Sequence, residues 1–310
     1  NELLAHTDDP QVDSVEFYNP TETAISMAGW LFSDKPSEPA RLVLTAAAVV
    51  PARGFWVLVL PKPPGGPFEL SEMGEQVTLT AIDGNGVATG SRSAAFGASP
   101  NGVSLGRVVT SDGAEHFPLQ KSLTLGAPNA GPRVGPIVMA EIMYKSATGK
   151  PEYIELYNTS NDTVLLHDPQ HPDHLWKIEG VDNYAIPAYS LAPGASLFVA
   201  GVAPALFRNA YKLPASVAVV GPFAGKLDDD GERVALLSPE PPNPEDGVVP
   251  YVVVDEVNYG AKGPYWPSEP NGTGPALRRT TLDGYGQEPT NWGVSTLLLE
   301  AGPAVGATRS

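Results

Sequence analysis

A short acidic, aromatic segment occurs twice in this chain: Val15–Asn19 reads VEFYN and Ile154–Asn158 reads IELYN. The landmarks after each copy come in the same order. Trp30 in MAGWLFSD answers Trp176 in HLWKIEGV, and the strand in PARGFWVLVLP answers APGASLFVAGV. LSEMGEQVTLTAIDGNG (Leu70–Gly86) answers LDDDGERVALLSPE (Leu227–Glu240), and NGVSLGR (Asn101–Arg107) answers GTGPALRR (Gly272–Arg279). Each half closes alike, with LTLGAPNAG (Leu123–Gly131) and LLEAGPAVGA (Leu298–Ala307). Whatever fold one copy adopts the other must share, so a repeat of this period constrains the architecture more than any other feature. The Gly/Pro-rich stretch Gly126–Pro136 separates the copies and predicts domains over residues 1–131 and 134–310.

The repeated unit is a strand. Val15 and Phe17 fall on one face with Glu16 and Tyr18 on the other; Ile154 and Leu156 against Glu155 and Tyr157 repeat this. The pattern predicts a core face and a solvent-facing outer face, and Asn19 and Asn158 suit the turn that follows because Asn hydrogen-bonds its own backbone there. Other short apolar runs alternate in the same way between Gly, Pro, Asn and Asp clusters. With 32 Gly and 33 Pro in 310 residues, helices have little room, while 42% apolar content suffices for cores. Only PALFRNAYKL (Pro204–Leu213) has a helical pattern, and one turn within a loop would account for it. The expected fold class is all-β: two tandem immunoglobulin-like β-sandwich domains.

Taken in order, these landmarks resemble the lamin tail domain, an immunoglobulin-like sandwich. The second half is the closer match. Ala140–Leu166 resembles that domain's opening, a strand ending Glu-Ile-Met-Tyr, a loop, then Glu-Tyr-Ile-Glu-Leu-Tyr-Asn; LAPGASLFV, LDDDGERVALL, VVDEVNYG, WPSEPNGTGPALRR and NWGVS continue it. The first half is a divergent copy without the Glu-Ile-Met-Tyr strand or a counterpart of WPSEPNG. The resemblance implies a non-catalytic accessory module of large secreted or surface proteins of bacteria. Heptads are absent, so it does not imply the coiled-coil context of nuclear lamins.

The net charge of −16 repels a phosphate backbone, so nucleic acid is not expected as a direct partner. No apolar run is long enough to insert in a membrane, and NELLAHTDDP lacks the regions of a signal peptide. Without cysteine there is no disulfide or thiolate chemistry.

Several residues are candidates for chemistry. HDPQHPDH places His167, His171 and His174 with two Asp in one loop, a donor set for a divalent metal, although a solvated polar loop explains it too. Asp228, Asp229 and Asp230 offer oxygens to calcium, but they lack the alternate ligands and distal Glu of an EF-hand, and like the DGNG at Asp83–Gly86 they suit a turn. No cofactor is expected, calcium being the one that could be taken up. Trp266 and Trp292 could stack on a sugar or serve as anchors in the sandwich. Arg107, Arg278 and Arg279 lie at strand ends, where pairing with local acids is commoner than anion binding. Glu155 has no second acid, Ser or His at a set spacing and does not make a catalytic centre. Asn158, Asn161 and Asn271 head formal glycosylation sequons. Nucleophile-elbow, Walker, zinc-protease and dinucleotide motifs are missing, so the chain is not expected to be an enzyme. The expected function is a non-catalytic structural or adhesive module pair of a secreted or surface bacterial protein, a spacer or docking unit for other proteins of the assembly. The alternative is a carbohydrate- or calcium-binding module attached to a larger extracellular enzyme.

Overall fold

A computed structural model describes residues 1–60, 68–146, 150–244, 246–261 and 263–295. The fold is all-β. The chain divides into two compact units, Asn1–Val109 with Ala114–Arg133, and Thr110–Gly113 with Val134–Ser310.

The first unit contains β1 (Glu2–Leu4), β2 (Asp13–Tyr18), β3 (Ile25–Ser26), β4 (Leu31–Ser33), β5 (Leu42–Val43), β6 (Val49–Val50), β7 (Phe55–Leu60), β8 (Gly74–Ile82), β9 (Ala88–Gly97), β10 (Leu105–Gly106), β11 (Val108–Val109) and β12 (Glu115–His116). One four-stranded sheet runs β10-β1-β2-β7 and another β5-β4-β8-β9, with β3-β6 and β11-β12 as small pairs. Leu3 and Val15 from the first sheet meet Phe32, Val77 and Phe96 from the second in one apolar core.

The second unit contains β13 (Ile137–Met143), β14 (Tyr153–Asn158), β15 (Val164–Leu165), β16 (Lys177–Glu179), β17 (Tyr184–Ala185), β18 (Ser190–Leu191), β19 (Ser196–Ala200), α1 (Pro204–Ala210), β20 (Val219–Val220), β21 (Gly231–Pro239), β22 (Tyr251–Gly260), β23 (Leu277–Arg279) and β24 (Trp292–Val294). A six-stranded sheet runs β20-β19-β14-β13-β23-β24, a four-stranded one β17-β16-β21-β22, and β15-β18 is a small pair. The strand plans coincide: β10-β1-β2-β7 matches β23-β13-β14-β19, β5-β4-β8-β9 matches β17-β16-β21-β22, and β3-β6 matches β15-β18. The register agrees at the pairs that matter here, although the bulges fall at different places, after Leu236 in β21-β22 and after Ala81 in β8-β9. Glu2 lies opposite Glu16 as Glu141 lies opposite Glu155, and Phe32 opposite Leu79 as Ile178 opposite Leu236.

Three expectations change. First, the first unit does have a counterpart of the Glu-Ile-Met strand: Glu2-Leu3-Leu4 of β1 occupies the place of Glu141-Ile142-Met143. Second, the glutamates on the outer face of the repeated strand are covered rather than solvent-facing, with Glu16 0% and Glu155 3% exposed, while Tyr18 on the same face stays 41% exposed. In the first unit Thr124 N–H and Oγ1–H donate to Glu2 at 3.0 and 2.9 Å, and Gly126 N–H donates to Glu16. The LTLGAPNAG segment thus closes over the acidic pair. Third, Pro204–Ala210 is a true helix. Its Phe207, with Tyr211 just beyond its end, packs on Tyr153 and Phe198 as a second apolar cluster on the outer face of the six-stranded sheet, with Tyr153 5.5 Å from both Phe207 and Tyr211. Pro at its first turn costs no hydrogen bond. The LLEAGPAVGA closing segment, Leu298–Ala307, lies outside the described residues.

Candidate functional site

Asp228–Asp230 form the turn that launches β21. Asp228 N–H donates to Glu232 at 2.6 Å, Asp228 Oδ1 accepts from Asp230 N–H at 2.7 Å, and Asp229 lies 3.7 Å from Lys226. The same turn recurs in the first unit, where Ser71 N–H donates to Glu75 at 2.8 Å. Gly74 and Gly231 follow these turns with φ of +87° and +117°, backbone conformations that glycine adopts without strain. Asp228 serves the turn and Asp229 pairs with Lys226, and the three residues are not among the groups of described residues whose ligand atoms lie within 4.8 Å of one another, so the geometry adds nothing to the calcium expectation.

Trp292 is 5% exposed and its Nε1–H donates to Gly286 O at 2.8 Å. Trp266 packs beside it at 6.4 Å, against the core of the second unit. Trp292, enclosed and with its donor used, is an anchor of the core, and the partly buried Trp266 packs against it, which favours the anchor expectation over the sugar platform. Arg279 is likewise no exposed strand end. It is 2% exposed and donates to Asp255 Oδ2 at 2.6 Å, while Asp255 also accepts Met139 N–H at 2.8 Å. Burial pushes the Asp255 carboxyl upward, and Arg279 opposes that push. Arg278 stands 3.5 Å from Glu141, and Glu155 accepts from Ser196.

The His-rich loop is closed on itself. His167 bridges to Leu175, Asp168 N–H donates to His174 O at 2.9 Å, and His174 N–H donates to His171 O at 2.8 Å. His171 Nδ1 lies 2.7 Å and His174 Nδ1 4.0 Å from Asp168 Oδ2. Among the described residues, Asp168, His171 and His174 are the one group of three acidic or His side chains whose ligand atoms lie within 4.8 Å of one another. His167 is not part of it, so the sequence set of three His becomes two His and Asp168. The hydrogen bond with His171 holds the Asp168 carboxyl below its ordinary range.

A cavity of about 410 Å³ lies between the two sheets of the first unit. Phe17, Trp30, Phe32, Leu79, Ala94 and Phe117 line it, with Arg92, Arg107 and Glu115 among its charged residues. Arg92 and Arg107 share Glu115 at 3.1 and 2.7 Å, and Arg92 is 81% exposed. The Arg107 hydrogen bond holds the Glu115 carboxyl below its ordinary range. Register identifies the counterparts in the second unit: Val257 for Ala94, Asp255 for Arg92, and Arg279 for Arg107. Leu105 pairs with Leu119 as Leu277 pairs with Val294, which sets Trp292 against Phe117. Val257 and Trp292 are buried, whereas Ala94 and Phe117 are half-buried. The second unit closes this space with its own chain. Gly286 lies against Glu256 O and Asp255, where no Cβ fits, and Gln287 accepts the edge N–H of Asn258 at 2.9 Å. Between Arg107 and Phe117 the first unit has only the short β11-β12 hairpin. None of Ala94, Arg92, Glu115 or Phe117 stood out in the sequence; the offset from Val257 and Asp255 is visible only once the strands are paired.

No protein-family model, curated protein or solved structure matches the chain.

Proposed function

We propose that the chain is a pair of non-catalytic, lamin-tail-type immunoglobulin-like sandwiches from a secreted or surface bacterial protein. The second unit acts as a closed spacer and the first docks an extended segment of a partner protein. The observation that carries this reading is that the first unit leaves open the space its sister fills with its own chain. At about 410 Å³ the opening falls in the lower part of the range of about 300–1,000 Å³ for ligand pockets.

The occupant follows from the filler and the charge. In the second unit the space takes a Gly-Tyr-Gly-Gln stretch that caps an edge N–H. The matching edge strand β9 is exposed along most of its length, and no strand pairs with its outer side among the described residues. Arg92 and Arg107 share Glu115 at the cleft, and the other carboxylate in its lining, Glu16, is buried and accepts the Gly126 N–H, in a chain of net charge −16. An acidic segment with one aromatic anchor fits all three features, added along β9 as an extra strand. Enclosure of Trp292 and the absence of convergence at Asp228–Asp230 leave the carbohydrate and calcium reading without a supporting observation.

A synthetic peptide of Thr281–Glu288, TLDGYGQE, is the probe. Titrated into the whole chain, it is expected to bind at the first unit. Arg92→Ala, at an exposed position, should weaken binding about tenfold, and Ala94→Val should weaken it by filling the cleft. Equal affinity for wild type and both variants, or no binding at millimolar peptide, would overturn the reading.

A further inference from the structure

We propose that Asp168, His171 and His174 bind one zinc(II) ion, a site separate from the docking cleft and independent of it. Zinc takes imidazole nitrogens and carboxylate oxygens at about 2.0–2.2 Å, usually four ligands in tetrahedral array. Here two Nδ1 atoms face one carboxylate oxygen, at 2.7 and 4.0 Å. A tetrahedral ion sets its ligand atoms roughly 3.3–3.6 Å apart, so small adjustments of His171 and His174 seat it between them.

Three observations say the arrangement is held rather than accidental. The loop is pinned by two internal backbone hydrogen bonds of 2.9 and 2.8 Å and by the His167–Leu175 bridge. The carboxylate is oriented through its other oxygen, which accepts Gln170 N–H at 2.8 Å, the outer support that metal-binding carboxylates use. The Nδ1 of His174 is buried and makes no hydrogen bond among the described residues. A desolvated ring nitrogen without a partner is costly, and an ion between the rings would satisfy it. The two rings stack on each other, with centroids 4.9 Å apart at 20°. Two nitrogens and one oxygen select a borderline transition metal over calcium, which requires six to eight oxygens. Three protein ligands leave the fourth position to water.

Calorimetric titration of zinc into the chelator-treated chain tests the site. One equivalent is expected, with no heat on adding calcium instead. Asp168→Asn, His171→Ala and His174→Ala should each weaken binding about tenfold or more. The His6→Ala/His116→Ala double variant removes the two His outside this loop and should bind as wild type. Should His174→Ala impair folding, His171→Ala reads the same site, because its side chain is 42% exposed. Failure to bind one equivalent, or unchanged binding in His171→Ala, would overturn the proposal.

Discussion

Asn19 and Asn158 show what a single residue contributes to this fold. Asn158 is fully buried; its amide donates to Asp162 O at 2.8 Å and Leu191 O at 2.9 Å, and its Oδ1 accepts Ser160 N–H at 2.9 Å. Asn19 repeats the set with Thr23 O, Val50 O, Pro51 O and Thr21 N–H. Removing the side chain strands buried carbonyls, at about 1–3 kcal/mol for each unsatisfied group. Asn158→Ala is expected to lower the melting temperature of the second unit by roughly 5–10 °C, and Asn158→Asp should fall well short of rescue because a carboxylate cannot donate. Calorimetry of both variants checks this. The turn role of these residues was legible in the sequence, since an Asx turn is local. The burial of Glu16, Glu155 and Arg279 was not: alternation reveals which face a side chain takes, never what later segment covers that face. At the cleft, the folded-state pKa of Glu115 is depressed, so its stabilising effect is complete above the unfolded value and fades as pH falls through the folded one. Its side chain is 35% exposed, and solvent screening keeps the effect below about 1 kcal/mol. Wild type should therefore lose slightly more stability than Glu115→Gln between about pH 5 and 3, measured by denaturant unfolding at several pH values. Equal losses would remove the pairing with the arginines.

At the scale of elements, the strands were legible where alternation ran for five or more residues, as in β2 and β14, or where a short apolar run stood between turn signals, as in β21. β1 was not, because Glu2–Leu4 spans three residues and its identity comes from pairing with β2 and β10. The helix α1 was half legible. Its seven residues place only Phe207 inward as a buried side chain, too few for a periodic signal, and its stability comes from the ring cluster it lands on. Phe207 sits 5.5 Å from Tyr153, 5.7 Å from Phe198 and 4.8 Å from Tyr211. Phe207→Ala is expected to destabilise the second unit by about 3–5 kcal/mol, with the first unit's melting unchanged. A loss below 1 kcal/mol would mean that the helix is only a surface turn. Leu206, one position earlier and 61% exposed, supplies the control: Leu206→Ala should have almost no effect.

On the scale of the whole molecule, duplication makes each unit the reference for the other. The repeat and its order were legible in sequence, but the difference between the copies was not, since a cavity is set by complementarity across two sheets and no local pattern encodes it. One position tests that difference with opposite signs. Val257 is 0% exposed in the second unit, and its counterpart Ala94 lines the opening in the first. Val257→Ala removes two methyl groups from a packed interior and should cost about 1–3 kcal/mol through lost burial and the void left behind. Ala94→Val adds the same two methyls where space is available, on a strand that favours a β-branched residue, and should stabilise the first unit by about 0.5–1 kcal/mol. Were the first unit packed as its sister is, Ala94→Val would instead overpack it and destabilise by about 1–3 kcal/mol. Scanning calorimetry of both variants separates these outcomes, because a rise for Ala94→Val together with a fall for Val257→Ala requires one open sandwich and one closed one.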